Sequence, residues 1–307
     1  MSKAYVFTQF GGPETQKLID RPVPQPGPGE LAVEVRAAGV NPDDWKTRSG
    51  RYGTDNRLPL PMGQELSGVI TAIGTDAGGF TVGEAILGLA APGHGAFAEH
   101  TIVLAADAVA KPKEISFADA ATIPVAAATA YDATHQIELE PGQKLLILGA
   151  GGGVGLMAAQ IGRVHEFTVI GIASESKRKV IESTGATFIP SGDHVAARIR
   201  HEAPEGVDLI LDLVGGDALH EVADLVTDPG KIISAADPTT ATELGGTALQ
   251  RTLEAMAKIT GVIEYGLVDP HIGALYPLER AGEAIAAVET GHATGKIALE
   301  MFHAPVS

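Results

Sequence analysis

The sequence contains no cysteine, and this absence excludes several kinds of chemistry. Disulfide bonds, cysteine-ligated zinc, iron–sulfur clusters and a thiol nucleophile are ruled out, because each requires a cysteine sulfur. Basic residues are also scarce, with 22 Lys and Arg against 38 Asp and Glu, which gives a formal charge of −16. Nucleic acids and anionic membranes repel a surface of this sign unless the bases are concentrated in one patch, and the sequence shows no such patch. We therefore expect neither as a partner.

Long apolar runs are nearly absent as well. The first residues contain no apolar run of signal-peptide length, so a cytoplasmic location is expected. The stretch from Leu145 to Gly162 has eighteen residues without a formal charge, close to the length that spans a bilayer. Six of them are glycines that cluster in one place, which disfavours a membrane helix. The apolar content of 45% is instead typical of a globular chain of about two domains.

The first 123 residues are rich in short β-type runs separated by glycine and proline. Because Pro22–Gly29 has proline at every second position, it predicts an extended surface connection. This part is predicted to form a small β-barrel domain, residues 1–123. The predicted strands are Lys3–Thr8, Leu31–Val40, Leu66–Gly74, Glu84–Leu89 and Ala96–Val103.

From Pro124 the pattern changes to an alternation of strands and helices, which predicts a parallel, doubly wound sheet with helices on both faces. This second domain is assigned to residues 124–265. Its predicted strands are Lys144–Leu148, Thr168–Ile172, Thr187–Ile189, Val207–Leu211 and Lys231–Ser234, and its predicted helices are Val125–Gln136, a helix ending near Val164, Glu175–Ser183, His194–Glu202 and Ala218–Val226. Residues 266–307, with a helix at Leu278–Glu289 and a strand at Gly295–Met301, are expected to return to the first domain. The predicted fold class is thus α/β.

A glycine-rich turn, Gly149–Gly155, follows the predicted buried strand and opens the next helix. Glycines let the backbone approach a phosphate closely, and the amides at a helix N-terminus attract negative charge. The strict G-x-G-x-x-G spacing fails, because Val154 stands where the third glycine is required. A turn selected only for packing is the alternative, but the strand–turn–helix context favours a dinucleotide. The predicted contacts are Ala150, Gly152, Gly153, Val154 and Gly155.

The choice of cofactor is expected at the end of the second strand, where an acidic residue favours NAD and a basic residue favours the 2′-phosphate of NADP. Ser174 has the right size to face a phosphate, and Lys177 and Arg178 can neutralise it. Glu175 complicates this interpretation, because it is either a favourable helix N-terminal charge or a ribose ligand. We predict NADPH, with NADH or purely solvated helix charges as the alternatives.

The chain resembles the medium-chain dehydrogenase/reductase superfamily, specifically its zinc-free branch of quinone oxidoreductases and zeta-crystallin. The similarity is carried by motifs spread over nearly the whole length, in the order and spacing of that branch. They are Ala37–Gly50, Gly63–Gly68, Gly95–Glu99, Ala121–Pro124, Ala150–Gly155, Thr184–Ala186, Asp212–Gly216 and Gly295–Ile297. The resemblance implies a GroES-like barrel, a Rossmann domain and a homodimer.

Two positions depart from the zinc-using relatives. Asn41 stands where they have a cysteine ligand, and Gln64 stands where they have a histidine ligand. The lobe that holds structural zinc is missing, because Leu89 is followed within a few residues by Gly93. None of the ten histidines pair at the i, i+4 spacing of helical metal ligands, so no metal is expected.

Without a Lewis acid, reduction of a plain ketone is difficult, since nothing strongly stabilises the alkoxide that develops. In a quinone or an enone the charge spreads into a phenolate or enolate, which neutral donors can support. The resemblance therefore implies an enzyme that transfers a hydride from NADPH to a small quinone or α,β-unsaturated carbonyl compound. The alternative is a crystallin-like scaffold that binds NADPH with little turnover. The sequence does not identify the physiological acceptor.

By resemblance, Asn41 lies beside the nicotinamide and the substrate carbonyl, Tyr52 is a phenol donor, and Gln64 fills the former metal pocket by hydrogen bonding. Each has a structural alternative: a helix cap for Asn41, packing or loop surface for Tyr52, and a purely structural contact for Gln64. Thr129 resembles a position near the nicotinamide, with packing as its alternative. The only tryptophan, Trp45, is assigned to the core or the cleft lining.

The small residues after the predicted strand Val207–Leu211 complete the predicted site. Small side chains at the carboxyl ends of parallel strands leave room for a cofactor, although the same residues also suit a turn. Val214 and Gly215 are assigned as cofactor contacts.

Overall fold

The computed structural model describes residues 1–252 and 254–301, which form two compact units. The first unit comprises Met1–Val125 together with the described residues from Ile272 onward, and the second comprises Ala126–His271. The last six residues of the predicted tail lie outside the described residues. The second unit extends past the predicted limit at residue 265 because Asp269 exchanges two 2.8 Å hydrogen bonds with Gln160.

The first unit contains two β-structures, in which all pairs are antiparallel except that of the last two strands. Its elements before the second unit are β1 (Ser2–Phe7), β2 (Gln16–Arg21), β3 (Glu30–Val40), α1 (Pro42–Arg48), β4 (Leu60–Pro61), β5 (Glu65–Ile73), β6 (Ala85–Ala90), β7 (His100–Ala110) and α2 (Phe117–Ala120). Strands β3, β5, β6 and β7 pair in that order, and β7 also pairs with β3, which closes the barrel. Alternate residues of β3, among them Leu31, Val33 and Val35, are buried in its core. Strands β2, β1 and β4 form a separate small sheet.

The second unit contains one parallel sheet. A π-helical turn at Ile123–Ala127 leads into α3 (Ala128–His135), β8 (Lys144–Leu148), α4 (Gly153–Val164), β9 (Thr168–Ala173), α5 (Arg178–Ser183), β10 (Thr187–Pro190), α6 (Val195–Glu202), β11 (Leu209–Asp212), α7 (Gly216–Val222), β12 (Ile232–Ser234), α8 (Pro238–Glu243), β13 (Thr247–Ala248) and α9 (Ala255–Glu264). The strand order is β10-β9-β8-β11-β12-β13, with every pair parallel.

The sheet of the second unit is buried on both faces. Leu146 and Leu148 pack in one apolar cluster with residues of α6 and α7, while the intervening Leu145 and Ile147 are equally buried. Because successive side chains of a strand point to opposite faces, both faces must be covered. The predicted α/β class with a doubly wound parallel sheet is confirmed.

The chain then completes the first unit with β14 (Ile272–Pro277), α10 (Ala281–Glu289) and β15 (Lys296–Glu300). Strand β15 pairs with β14 on one side and with β3 on the other, so the C-terminal segment joins the sheet built by the N-terminal one. Within residues 1–252 and 254–301, no helix is long and apolar enough to cross a membrane.

Four strands of the first unit differ from the prediction: β2, β4 and β14 were not predicted, and β7 has other bounds. Strand β2 was not predicted, because the polar and charged residues of Gln16–Arg21 suit an edge strand and mask the apolar alternation. Strand β7 begins at His100 rather than Ala96, since Phe97 and Ala98 are buried in irregular pairings, including an isolated bridge between Ala98 and Ala4.

Arg48 joins the N-terminal part of the first unit to its C-terminal part. Its side chain is only 1% exposed, and its Nη2 donates to both carboxylate oxygens of Glu289 at 2.8 and 3.0 Å. Its Nε donates to the carbonyl of Gly11 at 3.1 Å. Helix α1 is thereby fixed to α10, although the two lie more than two hundred residues apart in the chain.

We predict that Arg48→Met destabilises the protein by about 2–4 kcal/mol, since it removes one partner of a mostly buried pair whose carboxylate still reaches water. The shift of the urea denaturation midpoint measures this cost. Arg280→Met is the matched control on α10, because Arg280 pairs with Glu283 at the surface, and its cost should stay below about 1 kcal/mol. Equal midpoint shifts for the two variants would show that the Arg48–Glu289 pair stabilises the protein no more than an exposed ion pair does.

Candidate functional site

The glycine turn lies between β8 and α4, at the carboxyl end of a central strand. Gly149 has φ +82°, a left-handed conformation that glycine adopts without strain. The amides of Gly149 and Ala150 both donate to the carbonyl of Ile172 at 3.0 Å, which fixes the turn against β9. Gly152 is the N-cap of α4, so the amides of residues 153–155 have no acceptor within the helix. The turn therefore presents the N–H groups that an anion requires.

Two glycines of this turn have no room for a side chain. A Cβ at Gly155 would lie 2.5 Å from the carbonyl oxygen of Gly149 and 2.6 Å from the Cα of Ala150. A Cβ at Gly151 would collide with the aliphatic stem of Lys177. The close approach of turn, helix and lysine is possible only with glycine at both positions.

Lys177 is the basic residue that lies against the turn. Its side chain is largely buried, and this burial lowers the pKa of its ammonium below the ordinary value. The carbonyl of Ser174, which follows β9, accepts a 2.9 Å hydrogen bond from the backbone amide of Lys177, and the Ser174 hydroxyl is 3.1 Å from that of Ser176. Hydroxyl and ammonium groups are the kinds of group that bind phosphate.

The neighbouring charges have other partners. The Nε of Arg178 donates to Glu175 at 2.6 Å, its Nη1 donates to Glu182 at 3.3 Å, and its guanidinium lies 4.4 Å from the ring centre of Phe188. The Glu175 carboxylate is therefore engaged by Arg178 at the helix start. The structure thus favours the helix-charge interpretation of Glu175, and Lys177 is the cation whose stem packs against the turn.

Asp212 organises the loops that follow β11 and β12. Its buried carboxylate accepts hydrogen bonds from the amides of Val214 and Gly215 at 2.9 and 2.8 Å, and from the hydroxyl of Ser234 at 2.6 Å. Ser234 Oγ in turn accepts from the amide of Asp237 at 2.8 Å. The predicted contact residues Val214 and Gly215 are thus held in a fixed turn, by an aspartate to which the sequence analysis gave no role.

A second group of polar residues, entirely within the first unit, surrounds Asn41. Its Nδ2 donates to Glu65 Oε1 at 2.8 Å, and its Oδ1 accepts from the ammonium of Lys296 at 2.8 Å. Lys296 also donates to Glu65 Oε1 at 2.8 Å, and Glu65 Oε2 accepts from the amide of Val125 at 2.7 Å. We call Asn41, Glu65 and Lys296 the buried polar cluster; all three are at most 4% exposed.

Asp44 borders the buried polar cluster and accepts a 2.7 Å hydrogen bond from the backbone amide of Asn41. Burial raises the pKa of its carboxyl to about 7; the hydrogen bond from Asn41 and the charge of Lys296 oppose this shift, while the charge of Glu65 adds to it. This carboxyl therefore changes its charge near neutral pH.

Gln64 and Tyr52 lie in surroundings that favour their structural alternatives, and their roles in catalysis stay predictions. The residue that contacts Asn41 is Glu65, whereas the half-buried Gln64 side chain has no hydrogen bond to any described residue. The phenol of Tyr52 donates to Asp43 at 2.6 Å, and 61% of the residue is exposed. Partial burial, together with the hydrogen bond and charge of Asp43, raises the pKa of Tyr52, so this phenol is a poor proton donor.

Thr129 and Trp45 occupy less distinctive positions. Thr129 is buried in the first turn of α3, which fits packing as readily as a cofactor contact. Trp45 is half-buried on α1 against the core of the first unit.

Glu65 and Lys296 were not predicted as site residues, although both lie within the motifs noted above. The signal available in the sequence was that each is a single charged residue next to an apolar strand.

The buried polar cluster does not suit a metal ion. A cation bound to Asn41 Oδ1 would lie beside the ammonium of Lys296, which already donates to that oxygen. Among the described residues, no group of three or more His, Asp or Glu side chains is arranged to hold a metal.

Comparison with known proteins identifies the family. Residues 27–113 match the family model of the alcohol dehydrogenase GroES-like domain, and residues 180–299 match that described as zinc-binding dehydrogenase. The quinone oxidoreductase of Pongo abelii is 31% identical over 97% of this chain and 98% of its own length. The synaptic vesicle membrane protein VAT-1 homolog of Mus musculus is 30% identical over 97% of this chain and 83% of its own length.

The chain belongs to the quinone oxidoreductase branch of the medium-chain dehydrogenase/reductase superfamily. Solved structures agree: the quinone oxidoreductase of Coxiella burnetii has a TM-score of 0.90 at 29% identity, covering 97% of this chain and 99% of that one. A mycobacterial protein solved in complex with NADPH has a TM-score of 0.88 at 25% identity, covering 98% and 100%. The predicted GroES-like and Rossmann architecture is confirmed, and the protein is an oxidoreductase of the quinone oxidoreductase type.

The raised pKa of Asp44 gives a testable dependence of stability on pH. Between about pH 4 and pH 7 the folded protein retains a proton that the unfolded chain releases, so this contribution to stability is complete below about pH 4 and is lost as the pH rises through about 7. Asp44→Asn removes the titration and keeps an acceptor for the Asn41 amide. We expect this variant to exceed the wild type in stability by about 2–4 kcal/mol at pH 8 and to show little difference at pH 4.

Urea denaturation at several pH values measures this difference. Asp43→Asn is the control, because Asp43 is the adjacent, half-buried aspartate on the same helix; its charge is the smallest of the causes that raise the Asp44 pKa, so its substitution should change the slope of stability against pH much less. If Asp44→Asn destabilises the protein equally at all pH values, the carboxyl is not protonated in the folded state.

Proposed function

We propose that the protein is a zinc-independent, NADPH-dependent oxidoreductase that transfers a hydride to a quinone or to an α,β-unsaturated carbonyl compound. The observation that carries this proposal is the glycine turn before α4, where Gly151 and Gly155 have no space for a Cβ and Lys177 packs against the turn. Membership of the quinone oxidoreductase branch and the likeness to a protein solved with NADPH support it.

The residues present fit NADPH. The amides of residues 153–155 and the dipole of α4 would hold the diphosphate. Ser174 and Lys177 would hold the 2′-phosphate, because a hydroxyl can donate to it and the ammonium would offset its negative charge. Arg178 is no longer assigned to the phosphate, since two carboxylates already pair with it. Thr129, Val214 and Gly215 stay proposed contacts.

Zinc independence is proposed from the chemistry of the buried polar cluster. An ammonium at 2.8 Å from both Asn41 Oδ1 and Glu65 Oε1 opposes the approach of a divalent cation. The cluster offers fixed hydrogen-bond donors instead. Donors of this kind support an oxygen whose negative charge is shared with a conjugated system.

When bound, NADPH supplies the hydride. The acceptor gains this hydride and develops negative charge on its oxygen, then takes a proton from water, so that NADP⁺ and a hydroquinone or a saturated carbonyl compound are the products. We propose that Asn41 Nδ2 donates to that oxygen. Tyr52 is not assigned as the proton donor, because its hydroxyl hydrogen is directed to Asp43. The homodimer and the cytoplasmic location stay predictions.

The deciding experiment is turnover of the purified protein with NADPH or NADH and a panel of 1,4-benzoquinone, a 2-alkenal and an enone. We expect loss of NADPH absorbance with at least one conjugated acceptor, formation of the saturated ketone rather than the allylic alcohol from the enone, and no loss of activity after exhaustive chelation. NADPH binding without turnover on any acceptor would instead support an NADPH-binding scaffold.

Lys177→Ala tests the proposed 2′-phosphate contact. We expect its Kd for NADPH, measured by titration calorimetry, to rise by about tenfold or more, because a charge-assisted hydrogen bond contributes roughly 1.5–3 kcal/mol. The Kd for NADH should change by less than about threefold, since that dinucleotide lacks the phosphate. Lys179→Ala is the matched control, because Lys179 is an exposed lysine only two residues further along, on α5. Equal weakening of both dinucleotides would place Lys177 on the diphosphate.

A further inference from the structure

Lys296 uses all of its hydrogen-bond donors inside the protein. Its Nζ donates to the carbonyl oxygen of Val40 at 3.0 Å, to Asn41 Oδ1 at 2.8 Å and to Glu65 Oε1 at 2.8 Å. An ammonium carries three N–H groups, so these three acceptors satisfy it completely. Lys296 therefore has no hydrogen to offer a substrate and acts on its neighbours instead.

The two charges of the buried polar cluster fix the orientation of the Asn41 amide. Its oxygen faces the Lys296 ammonium, and its nitrogen faces the Glu65 carboxylate. A rotated amide would place its NH₂ group against the ammonium and its oxygen against the carboxylate, which electrostatic repulsion excludes. The described residues provide an acceptor for only one of the two Nδ2 hydrogens. The other hydrogen is available in a fixed direction.

Glu65 is itself held firmly in this arrangement. Its side chain is fully buried, and its second oxygen accepts from the amide of Val125 at 2.7 Å. On the paired strand, Gly39 leaves the space that the carboxylate occupies, since a Cβ there would collide with Glu65 Oε1. The carboxylate cannot follow the Asn41 amide if the amide turns, so the restraint on the amide is rigid.

We propose that Lys296 is a positioning residue of the reduction: it holds the Asn41 amide with one Nδ2 hydrogen ready for the acceptor's oxygen, and it polarises that amide. This inference rests on the proposed function. Electron density drawn toward the ammonium through Oδ1 strengthens the Nδ2–H group as a donor. The ammonium also offsets the repulsion that the Glu65 carboxylate, bonded to the same Nδ2, exerts on the negative charge that develops on the acceptor's oxygen.

A double-mutant cycle tests whether Lys296 acts through Asn41. Asn41→Leu removes the donor at similar volume and should lower kcat for 1,4-benzoquinone by about 100-fold, the effect of losing one oxyanion donor. Lys296→Met keeps the length of the side chain without its charge and should lower kcat by about tenfold or more, with a smaller change in KM. Adding Lys296→Met to Asn41→Leu should lower kcat by no more than about twofold further.

A charge-neutral variant separates positioning from stability. Lys296→Met alone leaves the Glu65 charge buried without its partner, so the fold is weakened, whereas Lys296→Met with Glu65→Gln removes both charges. We expect the double variant to recover the urea midpoint and to bind NADPH with a Kd within about threefold of the wild type, while kcat stays at least about tenfold lower. Lys3→Met is the control, because Lys3 forms an exposed ion pair in the same unit.

Two results would overturn the proposal. One is a full recovery of kcat in the Lys296→Met, Glu65→Gln variant, which would make the lysine a structural partner only. The other is independent multiplication of the Asn41→Leu and Lys296→Met losses, which would show that Lys296 does not act through Asn41. A wild-type protein that reduces no acceptor would reject the proposed function first, and this inference with it.

Discussion

The ion pair between Lys296 and Glu65 is the interaction on which the first unit depends. A buried ammonium is tolerated only when its charge and its three donors are all satisfied. Its partners are Val40 at the end of β3, Asn41 just after it and Glu65 on β5, while Lys296 itself lies on β15, 231 positions after Glu65 in the chain. The cluster is therefore complete only when the C-terminal segment has joined the sheet. The same segment brings Glu289 to Arg48.

The second unit uses the backbone rather than buried charge to build its site. The turn after β8 is shaped by close approaches at Gly151 and Gly155, and the turn after β11 is held by Asp212 through two backbone amides. Because all strands of this sheet are parallel, their carboxyl ends meet at one edge, and both turns lie there. Backbone amides keep their direction whatever the side chains do, so this arrangement suits a ligand of fixed shape, such as a dinucleotide.

Local sequence patterns predicted the second unit better than the first. Strand β8 was predicted over Lys144–Leu148 as observed, because a buried apolar run between turn residues is a local signal. Strand β2 was not predicted because polar and charged residues mask its apolar alternation, and the cluster around Asn41 was not predicted because its members are distant in the chain. A charged residue such as Glu65 or Lys296 looks solvated in sequence, and only the pairing of β3, β5 and β15 shows that it is buried. The prediction for Gln64 instead came from the resemblance, since this residue stands where zinc-using relatives have a histidine ligand.

The buried polar cluster and the proposed acceptors are consistent with each other on physical grounds. A metal ion binds a developing alkoxide directly, whereas the Lys296 ammonium, with all three donors used, reaches an acceptor only through the Asn41 amide. This indirect stabilisation of the acceptor's negative charge is weaker than the stabilisation by a Lewis acid, because it is provided by one neutral N–H group. It is adequate where conjugation already spreads the negative charge, as in an enolate or a phenolate, and inadequate for an isolated alkoxide. The saturation of Lys296 therefore argues for conjugated acceptors over simple ketones under the proposed function.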